Sequence, residues 1–119
     1  MSVSLFERLG GVEGITKIAS DLIDNDLANK ATANRFINSD IPKLKNVAAT
    51  FIISGTGGPN VYKGKDMLSV HKGMNISAVE FMGVLDNALA ALTKNNIGQR
   101  EQEEILFILY SMRSQIVLV

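Results

Sequence analysis

The chain has no cysteine and no tryptophan, a single histidine and two prolines in 119 residues. Without cysteine there is no disulfide framework and no thiolate-rich zinc or iron–sulfur site, and the usage is compatible with a reducing compartment. His71, as the lone histidine, is the only strong soft-metal ligand on offer. Net charge is also lacking: 12 basic residues balance 12 acidic ones. With no cluster of Lys and Arg, nothing marks a nucleic-acid partner or an anionic membrane surface. No apolar run approaches the roughly 18 residues of a spanning helix. The opening Met1-Ser2-Val3-Ser4-Leu5-Phe6-Glu7 lacks the basic region and apolar run of an export signal. The expectation is a cytoplasmic protein with no membrane or nucleic-acid role.

What is present is apolar. Hydrophobic residues make up 46% of the chain and charged ones 20%, which suits a compact fold and excludes a disordered tail. The length supports one domain over 1–119. Ser4-Leu5-Phe6-Glu7 reads as a capping box, with the Ser4 hydroxyl accepting from the Glu7 amide and the Glu7 carboxylate reaching back to the Ser4 amide. Gly10-Gly11 ends that short helix. Val12, Ile15, Ile18, Ala19, Leu22 and Ile23 then recur at helical spacing and predict a second helix ending near residues 27–29. Residues 30–40 are polar apart from Phe36 and Ile37, so they read as a turn and loop that tucks one aromatic inward. Asp40-Ile41-Pro42 starts the next helix, with Leu44, Val47, Ala48, Phe51 and Ile52 on one face.

Gly55-Thr56-Gly57-Gly58-Pro59 is a hard break. A phosphate-cradling loop would follow a strand and lead through Gly-Lys-Ser or Gly-Lys-Thr into a helix. Here a helix precedes and proline follows, so the nucleotide reading is rejected. After a loop over 61–66, a short helix carries Met67, Val70, His71 and Met74 at i, i+3, i+4 and i+7, placing the imidazole on an apolar face. Taken alone, such a histidine is a partly buried core residue. Ser77-Ala78-Val79-Glu80 is a second capping box, and Phe81, Val84, Leu85, Ala88, Leu89 and Leu92 form a clean stripe behind it. The last helix runs from about Gln99 towards Ser114. Ile105, Ile108, Leu109, Met112 and Ile116 share one face, and Leu106, Phe107 and Tyr110 widen it, which predicts a helix central to the core. Glu101-Gln102-Glu103-Glu104 reads as its solvated first turn. No window alternates as a strand would, so the fold class is all-α.

Leu5-Phe6-Glu7-Arg8-Leu9-Gly10-Gly11, Phe36, Leu44-Lys45, Gly57-Gly58-Pro59, Tyr62-Lys63-Gly64-Lys65-Asp66-Met67 and His71-Lys72-Gly73, with Ile76 and Phe81 beyond, together resemble the group I truncated haemoglobins. The resemblance spans residues 5–117, and its motifs are individually modest but jointly specific. It implies a globin-like two-over-two helical sandwich enclosing one haem b per chain. His71 then corresponds to the proximal iron ligand. Phe36 resembles the aromatic that stacks on the porphyrin, with Leu44 and Phe51 on the distal side. Met67, Val70, Ile76, Phe81 and Val84 would line the rest, and Lys65 and Tyr62 would reach a propionate. The family's usual distal tyrosine and glutamine are replaced by Ile23 and Ala48. The implied distal pocket of Ile23, Phe36, Leu44, Val47 and Ala48 is therefore apolar, without a donor for a bound gas.

The resemblance implies reversible binding of dioxygen, nitric oxide and carbon monoxide, in the manner of oxygen-binding and oxygen-transport globins, at a five-coordinate iron in a monomer. With one histidine, a second imidazole ligand is impossible within the chain. A nitric oxide dioxygenase or peroxidase-like enzyme, with a reductase as the partner any turnover would need, ranks second because no distal acid–base group is visible. A haem-free interaction or sensing module ranks third. Ala48, Ala49 and Ile52 suggest an open route from solvent towards the iron.

Overall fold

A computed structural model describes residues 3–119. Met1 and Ser2, part of the stretch read as lacking an export signal, lie outside the described residues. Six helices follow in order: α1 (Leu5–Arg8), α2 (Gly11–Ala28), α3 (Ile41–Gly55), α4 (Met67–His71), α5 (Ala78–Lys94) and α6 (Gln99–Ser111). Single 3-10 turns occupy Ala33–Arg35 and Arg113–Gln115. Among the described residues the only strand-like pairing is an isolated parallel bridge between Ile76 and Val117, so the chain is all-α. No helix among them is long and apolar enough to cross a membrane.

Local chemistry sets the helix ends. The Ser77–Glu80 capping box forms in full, whereas the Ser4–Glu7 box forms only by half. Ser4 accepts from the Glu7 amide at 3.1 Å, but the Glu7 carboxylate meets the Ser4 hydroxyl at 3.5 Å and not its amide. Asp40 caps α3 through the Lys43 amide, and proline sits in the first turn, where its missing N–H costs nothing. Gly10 turns between α1 and α2 at φ 100°, a left-handed conformation that glycine takes without steric cost. The Gly-Gly-Pro break is a helix stop: the Gly58 amide donates to Ile53 O at 3.0 Å. A Cβ on Gly58 would lie 2.4 Å from the Phe6 ring, so glycine there lets α1 dock over the end of α3.

Helix α2 packs across both α3 and α5. The larger core cluster joins Leu5, Leu9, Ile15, Ile18, Ile53, Ala91, Leu92 and Ile105, and a smaller one joins Ile76, Phe81 and Leu85. The central helix is α5, which buries Phe81, Gly83, Leu85, Asn87, Ala88, Ala91 and Leu92. This corrects the expectation for α6, of which only Ile105 is buried. Phe107 is 75% exposed and Tyr110 51%. With α5 filling the middle, α6 needs one apolar edge and leaves the others to solvent. Its acidic first turn is also more than a solvated face. Arg8 donates to Glu101 at 2.8 Å and forks onto Glu104, joining α1 to α6.

Candidate functional site

The apolar face of α3 is only half-buried, because it faces space rather than side chains. Leu44, Val47, Ala48 and Phe51 line one wall of a cavity of about 390 Å³; the α3 residues that enter the core are Ala49 and Ile53. Phe36 and Tyr62 also line it, as do Met67, Val70 and His71 of α4. Ile76, Phe81 and Val84 line it as well. Met74 of the His71 face, Leu85 of the α5 stripe and Leu109, Met112 and Ile116 of the last apolar face also line the cavity, although no local pattern marks them as parts of one site.

His71 is oriented by its own helix. Its Nδ1 lies 2.8 Å from Met67 O, and a carbonyl can only accept, so Nδ1 donates there, and in the neutral ring the lone pair is on Nε2. Helix α4 is capped by Asp66, which accepts from the Ser69 amide at 3.3 Å and from its hydroxyl at 2.6 Å. These hydrogen bonds hold the Asp66 carboxyl below its ordinary pKa. The helix buries none of its residues fully, so its position depends on what surrounds it.

Two predicted residues stand elsewhere. Ile23 is 4% exposed on α2 but does not line the cavity; Thr32, Val47 and Ala48 do. Lys65 is exposed and also absent from the lining, because its loop runs outside Tyr62. The Tyr62 hydroxyl donates to Lys65 O at 2.6 Å, and its ring meets Phe51 edge-on at 5.3 Å. The charged side chains that do line the cavity are Arg35 and Glu80, a pair not anticipated as part of the site. Arg35 forks onto the Glu80 carboxylate and, with the Ser77 amide, holds its pKa down at about 2.

A second cavity of about 120 Å³ lies between α2, α3, α5 and α6 and shares Ala48, Phe51 and Leu109 with the first. Ile52 lines it, as the expected open route would require, but Ala49 is buried in the core. Behind Thr32 sits a polar knot. Asp26, 2% exposed, accepts from Asn87 Nδ2 at 2.7 Å, and the Thr32 hydroxyl donates to Asp26 O at 2.7 Å. Burial pushes the Asp26 carboxyl up to about 7, against the Asn87 hydrogen bond.

The cavity is thus a slot walled by helices, with one oriented imidazole on its lining. A model described as bacterial-like globin matches residues 4–117. The chain belongs to the bacterial-like globin family. The group 1 truncated haemoglobin of Tetrahymena pyriformis is 32% identical to this globin over 89 residues, covering 75% of this chain and 74% of that one. The Tetrahymena thermophila group 1 protein is 29% identical over 97 residues, covering 82% and 80%. The ferric crystal structure of the T. pyriformis protein superposes with a TM-score of 0.94 at 26% identity, covering 98% of this globin and 100% of that chain. A group II truncated haemoglobin from Bacillus anthracis shares the fold, with a TM-score of 0.89 at 18% identity. Family and fold together make this a truncated globin, and membership implies haem binding.

Proposed function

We propose that this globin holds one haem b per chain through His71 and binds dioxygen, nitric oxide and carbon monoxide reversibly at a five-coordinate iron. The observation that carries the reading is the His71 imidazole, which lines the cavity with Nδ1 tied to Met67 O and Nε2 left free to ligate. The remaining lining fits a largely apolar macrocycle: Phe36, Leu44, Met67, Val70, Met74, Ile76, Phe81 and Val84 all border the same cavity. When bound, haem supplies an iron centre with an open position for a diatomic gas.

The chain's own contribution on the gas side is to exclude water and offer no donor. Leu44, Val47 and Ala48 present only carbon. The Thr32 hydroxyl is spent on Asp26 O and that of Tyr62 on Lys65 O, while Ser39 is exposed. A hydrogen bond to a charged acceptor is worth about 1.5–3 kcal/mol. Lacking it, this globin gains little affinity for dioxygen relative to carbon monoxide. Fast dioxygen release and ready oxidation of the ferrous form are expected, so reversible binding is favoured over turnover. Arg35 lines the cavity and Lys65 does not. We read the protein as a cytoplasmic monomer.

The test is an absorption spectrum. Adding haemin to the chain should raise a Soret band, and reduction should give a five-coordinate ferrous spectrum that carbon monoxide converts to six-coordinate. In His71→Ala the proximal signature should vanish. An unchanged spectrum in that variant would overturn His71 as ligand. A slow dioxygen release in stopped-flow mixing would overturn the donor-free pocket.

A further inference from the structure

The turn that follows His71 is closed by one bond of its own, from the Met74 amide to His71 O at 3.0 Å. Gly73 lies at φ 88° and Asn75 at φ 52°, so two of three consecutive residues are left-handed and one of them is not glycine. Met74 packs against the smaller core cluster, but α4 before it buries none of its residues fully. The turn's other backbone groups are held from outside. The Gly73 and Asn75 amides donate to Val119 O at 3.1 and 3.4 Å, and the Leu118 amide donates to Ile76 O at 2.9 Å. Arg35 takes the opposite side: its Nη1 donates to Met74 O at 2.9 Å and its Nη2 to Asn75 O at 3.5 Å. The rest of the guanidinium is pinned by Glu80, with Nη2 to Oε1 at 3.0 Å and Nε to Oε2. Glu80 is itself fixed by accepting from the Ser77 amide at 2.9 Å at the head of α5. The guanidinium fork is the one side-chain geometry that can serve a carboxylate and two carbonyls at once.

Resting on the reading of His71 as ligand, we propose that Arg35 is a positioning residue of the proximal side. Anchored by Glu80 on α5, it holds the Met74 and Asn75 carbonyls and so fixes where α4 presents the His71 imidazole. Arg35 precedes Phe36, so a single turn, Ala33–Arg35, governs both sides of the cavity: Phe36 on the gas side and, through Arg35, the ligand side. The chain thereby couples the two faces of its cofactor slot with one ion pair at the cavity wall. No proton or electron moves in this role.

The experiment compares the haem-loaded chain with Arg35→Met and Arg35→Lys. Three quantities are read: the iron–histidine stretching band of the ferrous form by resonance Raman, the rate of haem transfer to excess apomyoglobin, and the urea midpoint. Arg35→Met should displace or broaden the iron–histidine band and speed haem loss roughly tenfold or more, as expected for losing a charge-assisted array. Arg35→Lys keeps the charge opposite Glu80 but cannot serve both carbonyls, so it should fall between. If Arg35→Met does not fold, the lysine variant carries the test alone. An unmoved band with unchanged haem loss overturns the proposal. So does haem loss that merely tracks the urea midpoint with the band in place, which is what a purely structural salt bridge would give. Failure of the unsubstituted chain to show an iron–histidine band would instead overturn the assignment of His71, so the two readings fail separately.

Discussion

Helices α5 and α4 show two ways of holding a helix. The 17 residues of α5 begin with a complete capping box and bury seven side chains, so the helix is fixed by packing. The five residues of α4 bury none fully. They carry the candidate iron ligand, are capped by Asp66, and run into a turn held by Arg35 and by backbone bonds to residues 118 and 119. A segment that must turn its apolar face to a cavity cannot use that face for packing. Polar tethers replace burial where function claims the apolar surface.

The largest effect of a substitution falls on the packed side. Leu92 is 1% exposed in the larger cluster, and Leu92→Ala should lower the unfolding free energy by about 2–5 kcal/mol. Val70, 42% exposed on α4, should cost well under about 1 kcal/mol when cut to alanine. Urea unfolding followed by circular dichroism reads both. Equal losses would mean that α4 belongs to the core after all.

The packed side also has a flaw, and Asp26 sharpens the contrast. Its folded pKa, about 7, lies above the ordinary 3.8, so between those values the folded chain binds the extra proton. Stability from this group is therefore full below about pH 4, falls as pH rises towards 7, and is flat above. At about 1.4 kcal/mol per pH unit, the loss reaches a few kcal/mol. Asp26→Asn keeps an acceptor for Asn87 and removes the charge. It should leave stability near pH 4 almost unchanged and raise it by about 2 kcal/mol at pH 8, as read from urea midpoints across that range. A parallel shift at both pH values would show that Asp26 is not titrating there.

How legible each side was follows from the range of its interactions. The α5 stripe, the Ser77–Glu80 box, the Asp40 and Pro42 start of α3 and the His71 face are local patterns, readable within a few residues, and the structure places them as expected. The α6 face misled because periodicity counts apolar residues without knowing how much core is left to fill, and α5 had already filled it. Arg35 and Glu80 escaped notice because 45 residues separate them and each has an ordinary local explanation. Asp26 escaped because a carboxylate near a helix end usually reads as solvated; only Asn87 and Thr32, brought over it by the fold, bury it. Ile23 falls on the inward side of α2 by spacing, yet spacing alone does not separate a residue in the core from one on a cavity wall.

The smallest effect is the most discriminating, because it makes the same change on both sides. Ser77 caps α5 and Asp66 caps α4, each accepting from the third residue of its helix. Ser77→Ala removes a cap from a helix whose formation is inseparable from the core, so it should lower global stability by about 1 kcal/mol. Asp66→Ala removes a cap from a helix the core does not need. It should leave the urea midpoint in place and speed hydrogen exchange roughly fivefold at the amides of Val70 and Lys72, which bond to Asp66 O and Leu68 O. Exchange there would then proceed by local opening, on its own energy scale, while the amides of α5 exchange only with global unfolding. If Asp66→Ala shifted the midpoint as far as Ser77→Ala, the tethers around His71 would be part of the fold's cooperative unit, and α4 would be held as firmly as α5 despite burying nothing.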